Sequence, residues 1–295
     1  MNIIVSNVLT IEDPTAEVRA WCKNNLIIAN PDYDKKARMH LWRGDTPRTL
    51  CLYEEKGSSL ILPFGTLRDL SRLKLDTTCR KEFAVAEDIG YGEDVPLYDY
   101  QIIAVEEMLN AHYGILQSPA GSGKTQCGIA LIKKFGKRAL WLTHTLDLLK
   151  QSKSRAEQYM SEGLIGTITE GKVSIGKGVT FATVQTMCKL DLPRYKDYWD
   201  VVIVDECHRV AGSPTSVTRF SKVLNALSAR HKIGLSATVH RSDGLIAATY
   251  TLIGDVAYTV PDEAVKDSTM RVGIKPISTG VQSSRECINT ERSIT

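Results

Sequence analysis

A glycine-rich stretch between residues 117 and 125 carries the residue types that hold nucleotide phosphates. It reads Gln117-Ser118-Pro119-Ala120-Gly121-Ser122-Gly123-Lys124-Thr125. In such a loop, backbone N–H groups and the positive end of the following helix cradle the anionic oxygens. Lys124 is then predicted to reach the β and γ phosphates, and the Thr125 hydroxyl to bind Mg²⁺. The stretch therefore predicts ATP or GTP as the ligand, held by Pro119, Ala120, Gly121, Ser122, Gly123, Lys124 and Thr125.

The sequence around this loop fits the same role. The apolar run 114–116 predicts a buried strand and residues 125–135 predict a helix, so the glycines fall at a strand-to-helix turn. A second stretch, residues 171–177, also spells G-x-x-x-x-G-K. There Gly178 stands where a hydroxyl is needed, and the β-rich residues 179–181 follow where a helix should begin. This second stretch is therefore predicted to be a glycine-rich turn between strands.

Two carboxylates follow another apolar run. Residues 201–204, Val-Val-Ile-Val, predict a buried strand that ends at Asp205 and Glu206, and ligands of open α/β sheets bind at that edge. Asp205 is predicted to hold Mg²⁺, and Glu206 to orient and deprotonate the water that attacks the γ phosphate. The alternative is an acidic turn that caps the next helix. Together with Lys124, these two are the predicted catalytic residues.

A third strand candidate ends in hydroxyl residues. Residues 233–238 read Ile-Gly-Leu-Ser-Ala-Thr. At the same edge of a parallel sheet, Ser236 and Thr238 would lie close to both carboxylates and to the γ phosphate, where hydrogen bonding can report the state of the nucleotide. The alternative is an ordinary helix cap.

The composition bounds the class of protein. The chain has 295 residues, of which 43% are hydrophobic and 24% are charged, and this fits one large and one small globular domain. No apolar run approaches the roughly 18 residues that span a bilayer, and the amino terminus lacks a basic-then-apolar signal pattern. We therefore expect no membrane partner and a cytoplasmic location. The seven cysteines are scattered without a C-x-x-C pair, which indicates neither a disulfide framework nor a zinc site.

Three segments are predicted along the chain. Residues 1–88 are expected to form a small α+β accessory domain, residues 89–275 a large domain, and the polar residues 276–295 a linker or disordered tail. In the large domain, short apolar strands alternate with helical patterns, which predicts an α/β fold with a doubly wound, mostly parallel sheet. The predicted strands are 114–117, 139–143, 179–183, 201–204 and 233–235.

The first segment carries a basic excess. Residues 50–55 and 60–62 predict a β-hairpin, and residues 66–75 predict a short amphipathic helix. Between Arg19 and Lys81 there are 13 Lys or Arg residues against 7 Asp or Glu, a net charge of +6. A surface that binds DNA is one interpretation, and an ordinary solvated surface is the other.

These motifs, in this order, resemble those of superfamily 2 helicases and translocases. The phosphate loop is similar to motif I, Asp205-Glu206-Cys207-His208 to the DExH form of motif II, and Ser236-Ala237-Thr238 to motif III. The resemblance implies a RecA-like fold for the large domain, and a role for His208, Ser236 and Thr238 in coupling. Residues 98–101, Tyr-Asp-Tyr-Gln, resemble the upstream glutamine motif, which implies that Gln101 reads the adenine edge and selects ATP.

Two further segments resemble the strand-contacting motifs of this superfamily. Residues 141–145 are similar to motif Ia, and residues 182–186 to the Thr-Val-Gln segment called Ib or Ic. The resemblance implies that Thr145 and Thr183 grip the phosphate backbone of one nucleic-acid strand, independently of its sequence. Ordinary helix capping by these hydroxyls is the alternative.

The segment around motif III indicates which branch the chain resembles. Residues 234–244 are more similar to the UvsW, XPB and RecG-like DNA helicases than to DEAD-box RNA helicases, and this implies that Arg241 contacts nucleic acid. Residues 30–53 resemble the amino-terminal part of phage and prophage helicases. We therefore expect a UvsW-like, phage-type DNA helicase or translocase that acts on branched, forked or single-stranded regions in replication, recombination or repair. RNA stays open as the track.

One part of the family pattern is absent from the sequence. The second RecA-like domain of these enzymes carries Gln-x-x-Gly-Arg-x-x-Arg, whose arginines reach the γ phosphate and are worth roughly 10³ to 10⁵ in rate. We therefore expect an amino-terminal portion of a longer helicase, with weak hydrolysis unless a second domain is supplied in cis or by a partner. The alternatives are the motor part of a restriction or RNA-processing system, and an ATP-gated DNA-binding module.

Overall fold

The computed structural model describes residues 1–238 and 244–265, which hold a small sheet, a two-stranded ribbon and a large sheet. The first elements are β1 (Asn2–Val5), β2 (Val8–Glu12), α1 (Ala16–Asn25), β3 (Ile27–Ala29), α2 (Pro31–Arg38), β4 (Thr49–Cys51), β5 (Glu54–Lys56), β6 (Ser59–Pro63), α3 (Leu67–Arg72) and β7 (Thr78–Lys81). They are followed by α4 (Asp99–Ala111), β8 (Gly114–Gln117), α5 (Lys124–Phe135), β9 (Ala139–Thr143), α6 (Leu146–Ala156), β10 (Ile165–Thr169), β11 (Lys172–Ser174), β12 (Val179–Thr183), α7 (Val184–Met187), β13 (Val201–Asp205), α8 (Pro214–Leu224), β14 (His231–Ser236), α9 (Ile246–Ile253), β15 (Val256–Thr259) and α10 (Asp262–Val265). Short 3₁₀ helices cover Phe64–Thr66, Glu162–Leu164, Leu192–Tyr195 and Cys207–Gly212.

The large sheet has eight strands in the order β11-β10-β12-β9-β13-β14-β8-β15. Every neighbouring pair is parallel except β10 and β11. The strand order reverses between β9 and β8, because β13 and β14 are inserted between them. A doubly wound, mostly parallel sheet is therefore confirmed, and its carboxyl edge is the expected place for a ligand.

Helices cover both faces of this sheet, which explains why its central strands β9, β12 and β13 are buried along their whole length. In β13, Val201 and Ile203 pack on the side of α4, α5 and α6, whereas Val202 and Val204 pack on the side of α7, α8 and α9. Strands buried on both faces need continuous rather than alternating hydrophobic residues. The predicted strands 114–117, 139–143 and 179–183 have the observed bounds, and β13 and β14 extend slightly beyond their predictions.

The small sheet has the order β5-β6-β2-β1-β7 and buries only one face. Alternate residues of β1, β2 and β6 make its core with α1: Ile3, Val5, Leu9, Ile11, Leu60, Leu62, Val18 and Cys22. This alternation is the pattern expected of a sheet with one solvated side. The domain boundary near residue 88 stays a prediction.

The predicted hairpin is only partly correct. β5 and β6 do pair around a turn at residues 57–58, but Leu50 lies in β4, which pairs with β3 instead. Leu50 and Ile28 pack against Leu245 and its neighbours in the large unit. Because this contact partly buries Leu50, residues 49–51 pair with β3 rather than continuing the hairpin. The predicted helix over 66–75 is shorter, and its α-helical part ends at Arg72.

The second G-x-x-x-x-G-K stretch is confirmed as a turn. Glu170 and Gly171 connect the antiparallel strands β10 and β11, and Gly171 has a φ of +84° that favours glycine. No helix follows Lys177, because β12 begins at Val179. This stretch therefore cannot present backbone N–H groups at a helix start, as a phosphate loop does.

Polar contacts join the small sheet to the large one. Arg68 in α3 donates hydrogen bonds to the backbone carbonyls of Ala111 at 2.9 Å and Tyr113 at 3.1 Å. Lys232, at the start of β14, donates to the carbonyl of Asn7 at 2.9 Å. Some of the positive charge in the basic amino-terminal segment is therefore directed at the large unit rather than at solvent.

Two predictions lie outside the described residues. These are the role of Arg241 and the linker or tail over 276–295. Within the described ranges, none of the helices has the length and apolar character that a membrane crossing requires.

Candidate nucleotide site at the carboxyl edge of the large sheet

The motifs that the sequence singles out meet at one edge of the large sheet. β8, β13 and β14 are neighbouring parallel strands, and each delivers one motif at its carboxyl end. A cavity at this edge is lined by Lys124 and Thr125 from the glycine-rich loop and by Asp205 and Glu206 from the end of β13. The predicted catalytic residues are therefore brought together.

The glycine-rich loop has the backbone that a phosphate cradle needs. Gly121 and Gly123 have φ values of +78° and +76°, in the left-handed region that only glycine adopts at little cost. A Cβ atom at Gly123 would lie 2.4 Å from Nε2 of Gln101. The hydroxyls of Ser118 and Ser122 lie 2.5 Å apart and close the loop across its base. The predicted residues Pro119 and Ala120 complete the same turn.

Gln101 ties this loop to helix α4. Its side chain is buried, its Nε2 donates to the carbonyl of Ser122 at 2.9 Å, and its Oε1 accepts from the backbone N–H of Tyr98 at 3.0 Å. The hydroxyl of Tyr100 donates to the same Ser122 carbonyl. An amide can make a further hydrogen bond at each end. Recognition of adenine by Gln101 stays a prediction, and the observed role is to position the loop.

Lys124 begins helix α5 and points back over the loop. Its ammonium nitrogen lies 3.2 Å from the carbonyl oxygens of Ser118 and Pro119. Thr125 follows in the first turn of α5, on the wall of the same cavity. The positive end of the helix, the Lys124 ammonium and the turn N–H groups therefore face one space, which suits a polyphosphate.

Asp205 is held by two donors that its own motif does not contain. The Ser152 hydroxyl donates to Oδ2 of Asp205 at 2.8 Å, and Nε1 of Trp141 donates to the same oxygen at 3.3 Å. Burial raises the pKa of Asp205, the nearby Glu206 charge raises it further, and the two hydrogen bonds oppose the shift. These donors therefore favour the ionised carboxylate that a metal ion requires.

Glu206 is held in an unusual backbone conformation. Its φ of +49° and ψ of +53° are left-handed, which is strained for a residue with a side chain. Its carboxylate lies 3.2 Å from Nδ1 of His208, and this hydrogen bond, together with the charge of Lys124, lowers the pKa of Glu206. Glu206 is therefore ionised at neutral pH and can accept a proton.

A hydrogen-bonded chain links this carboxylate to the end of β14. Nδ1 of His208 also lies 3.0 Å from the Ser236 hydroxyl, and that hydroxyl donates to the carbonyl of Thr238 at 2.7 Å. The three residues predicted to act in coupling are thus connected in space. The Thr238 contact is made through its backbone.

The two threonines predicted to grip nucleic acid are helix caps. The hydroxyl of Thr145 accepts from the N–H of Leu148, and that of Thr183 accepts from the N–H of Thr186, both at 3.3 Å. Thr183 is only 4% exposed, so its hydroxyl offers little surface to a phosphate group. Their contact with nucleic acid stays a prediction. The observed role of both hydroxyls is to cap a helix.

The residues present fit a nucleotide with a magnesium ion. Within the described ranges no cluster of three or more His, Cys, Asp or Glu side chains forms a cage for a metal. Mg²⁺ does not need one, because it is commonly bound by one or two carboxylates together with substrate phosphates. Asp205 and the Thr125 hydroxyl are placed for that arrangement, and the glycine backbone leaves room for the phosphates.

Sequence reasoning missed several residues of this site. Ser152 and Trp141 lie 53 and 64 positions from Asp205, so no local pattern marks them. Arg155 follows Ser152 by one helical turn and lines the same cavity. Residues three or four apart share a helix face, so the motif Ia helix could have been searched for such partners.

Comparison with known families extends these observations. Residues 94–241 match the family described as "Type III restriction enzyme, res subunit", which is half of the chain. Among curated proteins, the "DNA 3'-5' translocase XPB2" of Sulfurisphaera tokodaii is 26% identical over 196 residues, covering 65% of this chain and 42% of that protein. The "Probable helicase D10" of Escherichia phage T5 is 31% identical over 133 residues, covering 44% and 28%. The chain thus spans less than half the length of these relatives.

A solved structure shares the fold. The crystal structure of the UvsW helicase from bacteriophage T4 has a TM-score of 0.66 with 18% sequence identity, and the match covers 88% of this chain and 100% of that one. The predicted RecA-like α/β fold is confirmed. The chain therefore belongs to the family of the type III restriction enzyme res subunit, among the superfamily 2 helicases and translocases.

Proposed function

We propose that this chain is the ATP-binding part of a DNA helicase or translocase. The observation that supports the proposal best is the meeting of Lys124, Asp205 and Glu206 around one cavity at the carboxyl edge of the sheet. A lysine opposite two carboxylates is the arrangement expected for Mg²⁺-dependent phosphoryl transfer.

Each residue has a part in this mechanism. Lys124 and the N–H groups of the glycine-rich loop bind the β and γ phosphates. Asp205, positioned by Ser152, binds Mg²⁺ with Thr125, and the ion supplies charge neutralisation on the phosphates. Glu206, ionised and held by His208, orients the attacking water and accepts its proton.

The contacts of His208 and Ser236 support a coupling role. Glu206 shares Nδ1 of His208 with Ser236, so a change at the γ phosphate that draws Glu206 away alters the bond to the end of β14. The hydrogen bonds at the end of β14 would then depend on whether the γ phosphate is present. Arg241, five residues beyond Ser236, is proposed to contact nucleic acid.

The track is proposed to be DNA. Support comes from the relatives named as DNA translocase and helicase, and from the basic amino-terminal segment. Branched or forked DNA in replication, recombination or repair is the substrate proposed on the likeness to UvsW-type enzymes. An arginine from a second RecA-like domain, in cis or from a partner, is proposed to complete hydrolysis.

The test of the proposed site is nucleotide binding, which needs no second domain. The Lys124→Ala variant should bind a fluorescent ATP analogue with Mg²⁺ about 10- to 100-fold more weakly than the wild type, because a charge-assisted bond to phosphate is lost. The chain supplies its own control, since Lys177 ends the second G-x-x-x-x-G-K stretch in the connection between β11 and β12, with no helix after it. Lys177→Ala should leave the affinity unchanged.

Equal affinities of the wild type and Lys124→Ala would contradict the assignment of the phosphate loop. A loss in Lys177→Ala equal to that in Lys124→Ala would show that positive charge in general, rather than the loop, holds the nucleotide. Competition by unlabelled ATP and GTP in the same assay measures the selectivity assigned to Gln101.

A further inference from the structure

A loop in the amino-terminal segment exposes a large aromatic side chain. Residues 39–45, here called the Trp42 loop, follow α2 and precede β4 in the chain. All of them are exposed. Trp42 is 86% exposed, whereas Trp141 and Trp199 are fully buried. Exposing an indole ring in this way forgoes about 1.5–3 kcal/mol of burial that a large apolar side chain can gain. A ligand that covers the ring would recover this.

The ring is backed on one side by the chain itself. A Cβ atom at Gly44 would lie 2.6 Å from Cζ3 of Trp42, so the indole lies against the bare Cα of this glycine. The φ of Gly44 is +45°, which favours glycine at this turn. The six-membered ring of the indole therefore touches the loop at Gly44, and most of the side chain is open to solvent.

The base of the Trp42 loop is closed by hydrogen bonds. The buried Asn30 side chain donates to the carbonyl of Pro47 at 2.8 Å, and the N–H of Asn30 donates to the carbonyl of Arg48 at 3.0 Å. Lys36 donates to the hydroxyl of Thr46 at 2.7 Å. The loop is thus presented on a closed frame, which lowers the entropy lost when it binds a ligand.

The charge around the ring is positive. Between residues 31 and 48 there are five Lys or Arg residues against three Asp. The exposed basic side chains are Lys35, Arg38, Arg43 and Arg48. Arg43 is oriented by Tyr33, whose hydroxyl lies 2.8 Å from its guanidinium. Aromatic faces interleaved with basic side chains are what single-stranded nucleic acid binds, by stacking and by phosphate pairing.

The β3–β4 ribbon next to the Trp42 loop packs near the carboxyl edge of the large sheet, where the nucleotide site lies. Ile28 of β3 and Leu50 of β4 pack against Ala211, Val217 and Leu245. Ala211 belongs to the 3₁₀ helix that begins two residues after the carboxyl end of β13. The ribbon that flanks the Trp42 loop in the chain therefore packs at the carboxyl edge, where Thr145 and Thr183 also follow the ends of β9 and β12.

We propose that Trp42 stacks on an unpaired nucleobase of the DNA strand, with the neighbouring basic side chains holding its phosphates. This proposal rests on the proposed function, since it assigns a subsite to the same nucleic acid. A protein partner that covers the ring is the competing use, and the positive charge and the open, flat ring face favour the base.

The test is fluorescence of the full chain titrated with oligothymidylate and with a blunt duplex of the same length. Stacking on a base quenches indole emission, so oligothymidylate should quench the wild type. The Trp42→Phe variant should bind with similar affinity, because a planar ring is kept, but without that component of the quenching. The blunt duplex, which has no unpaired base, should give none of it.

Affinity of the variants, measured by anisotropy of labelled oligothymidylate, separates stacking from other contacts. Trp42→Ala and Trp42→Leu should both bind about 5- to 150-fold more weakly, because one base–aromatic stack is lost. The matched control is Val85→Ala, which truncates an apolar side chain that is 97% exposed outside the loop and should change nothing. Wild-type affinity in Trp42→Leu would indicate apolar contact without stacking and would overturn the proposal.

The failure of this inference is distinguishable from failure of the proposed function. Oligothymidylate binding without Trp42-dependent quenching would overturn the stacking role and leave a DNA-binding motor in place, with a protein partner as the remaining use of the ring. Absence of binding to any DNA, with or without an ATP analogue, would overturn both. Equal quenching by the duplex would also contradict a site for unpaired bases.

Discussion

Strand β14 connects two regions of the molecule whose ionisable side chains have opposite surroundings. At its carboxyl end, Ser236 lies beside the ionised side chains of the nucleotide site, which face an open cavity. At its amino end, Lys232 is completely buried where the small sheet meets the large one, and it donates to the carbonyls of Asn7 and Leu224. Charge in the first region is available to a ligand. The Lys232 amine in the second satisfies backbone carbonyls that would otherwise be buried without a partner.

The junction is also closely packed. Gly65 lies so near α9 that a Cβ atom there would come within 2.3 Å of the carbonyl oxygen of Tyr250 and 2.6 Å of the N–H of Gly254. The rings of Phe64 and Tyr113 meet edge to face, with centroids 5.1 Å apart. Because backbone packs closely on backbone, this region has no space for a ligand at Gly65, whereas the nucleotide site has a cavity.

The largest expected effect comes from breaking that packing. Gly65→Ala should lower the free energy of unfolding by about 3 kcal/mol, the upper end for an overpacked site, because the nearest atoms are backbone and cannot rotate away. Urea unfolding measures this loss. Affinity for a fluorescent ATP analogue should stay at the wild-type value, since the nucleotide site lies at the opposite edge of the sheet.

The matched control is Gly163→Ala, because no atom lies within 4 Å of a Cβ at that position and its backbone is not left-handed. It should shift the unfolding free energy by no more than about 0.5 kcal/mol. If Gly65→Ala is as stable as Gly163→Ala, the two sheets are not packed as described. If it loses nucleotide affinity, the two regions are not independent.

A second prediction concerns the nucleotide site, where Ser152 donates a hydrogen bond to Asp205. Ser152→Ala removes a donor that lowers the pKa of Asp205, so the ionised carboxylate is disfavoured. Loss of a group that orients a metal ligand costs about 10-fold or more in metal affinity. Titration of Mg²⁺ at a fixed concentration of ATP analogue should show this loss.

Ser71→Ala is the control for that experiment, since the exposed Ser71 hydroxyl donates only to the carbonyl of Arg68 within its own helix. An unchanged Mg²⁺ requirement in Ser152→Ala would mean that Asp205 is not the metal ligand, or that Trp141 alone is enough to orient it. The double variant Ser152→Ala/Trp141→Phe decides between these two outcomes.

The nucleotide site is the more predictable region, because its chemistry lies in short contiguous motifs. The turn at 117–125 and the carboxylates at 205–206 follow apolar strands whose bounds the sequence nearly reproduces. Parallel strands bring such ends to one edge, so proximity follows from topology. The positioning donors Ser152 and Trp141 escape prediction because they depend on how distant helices and strands pack.

The junction is the less predictable region, because it depends on pairs far apart in the chain. Asn7 and Lys232 are separated by 225 positions, and neither lies in a recognisable pattern. The segment 50–55 shows the same limit, since local propensity predicts a single strand there. The outcome is decided by Leu50, which is needed to pack against the large unit.

The smallest expected effect concerns the pH dependence of the junction. Burial lowers the pKa of Lys232 to about 7, and among the described residues no carboxylate is placed to oppose the shift. A neutral amine still has two N–H donors, enough for the carbonyls of Asn7 and Leu224. Folding therefore releases a proton between pH 7 and the ordinary lysine pKa of about 10.5, and the free energy of unfolding rises with pH across this window.

Urea unfolding between pH 7 and 9 should accordingly show a gain of about 1 kcal/mol per pH unit that depends on Lys232. Lys232→Met keeps the length of the side chain and removes its titration, so the variant should lack this slope whatever its absolute stability. His231, whose pKa burial lowers to about 4, is present in both proteins, so its contribution cancels when the two curves are compared. Parallel curves for the wild type and the variant would show that Lys232 stays charged at the junction, which would then resemble the nucleotide site in its treatment of charge.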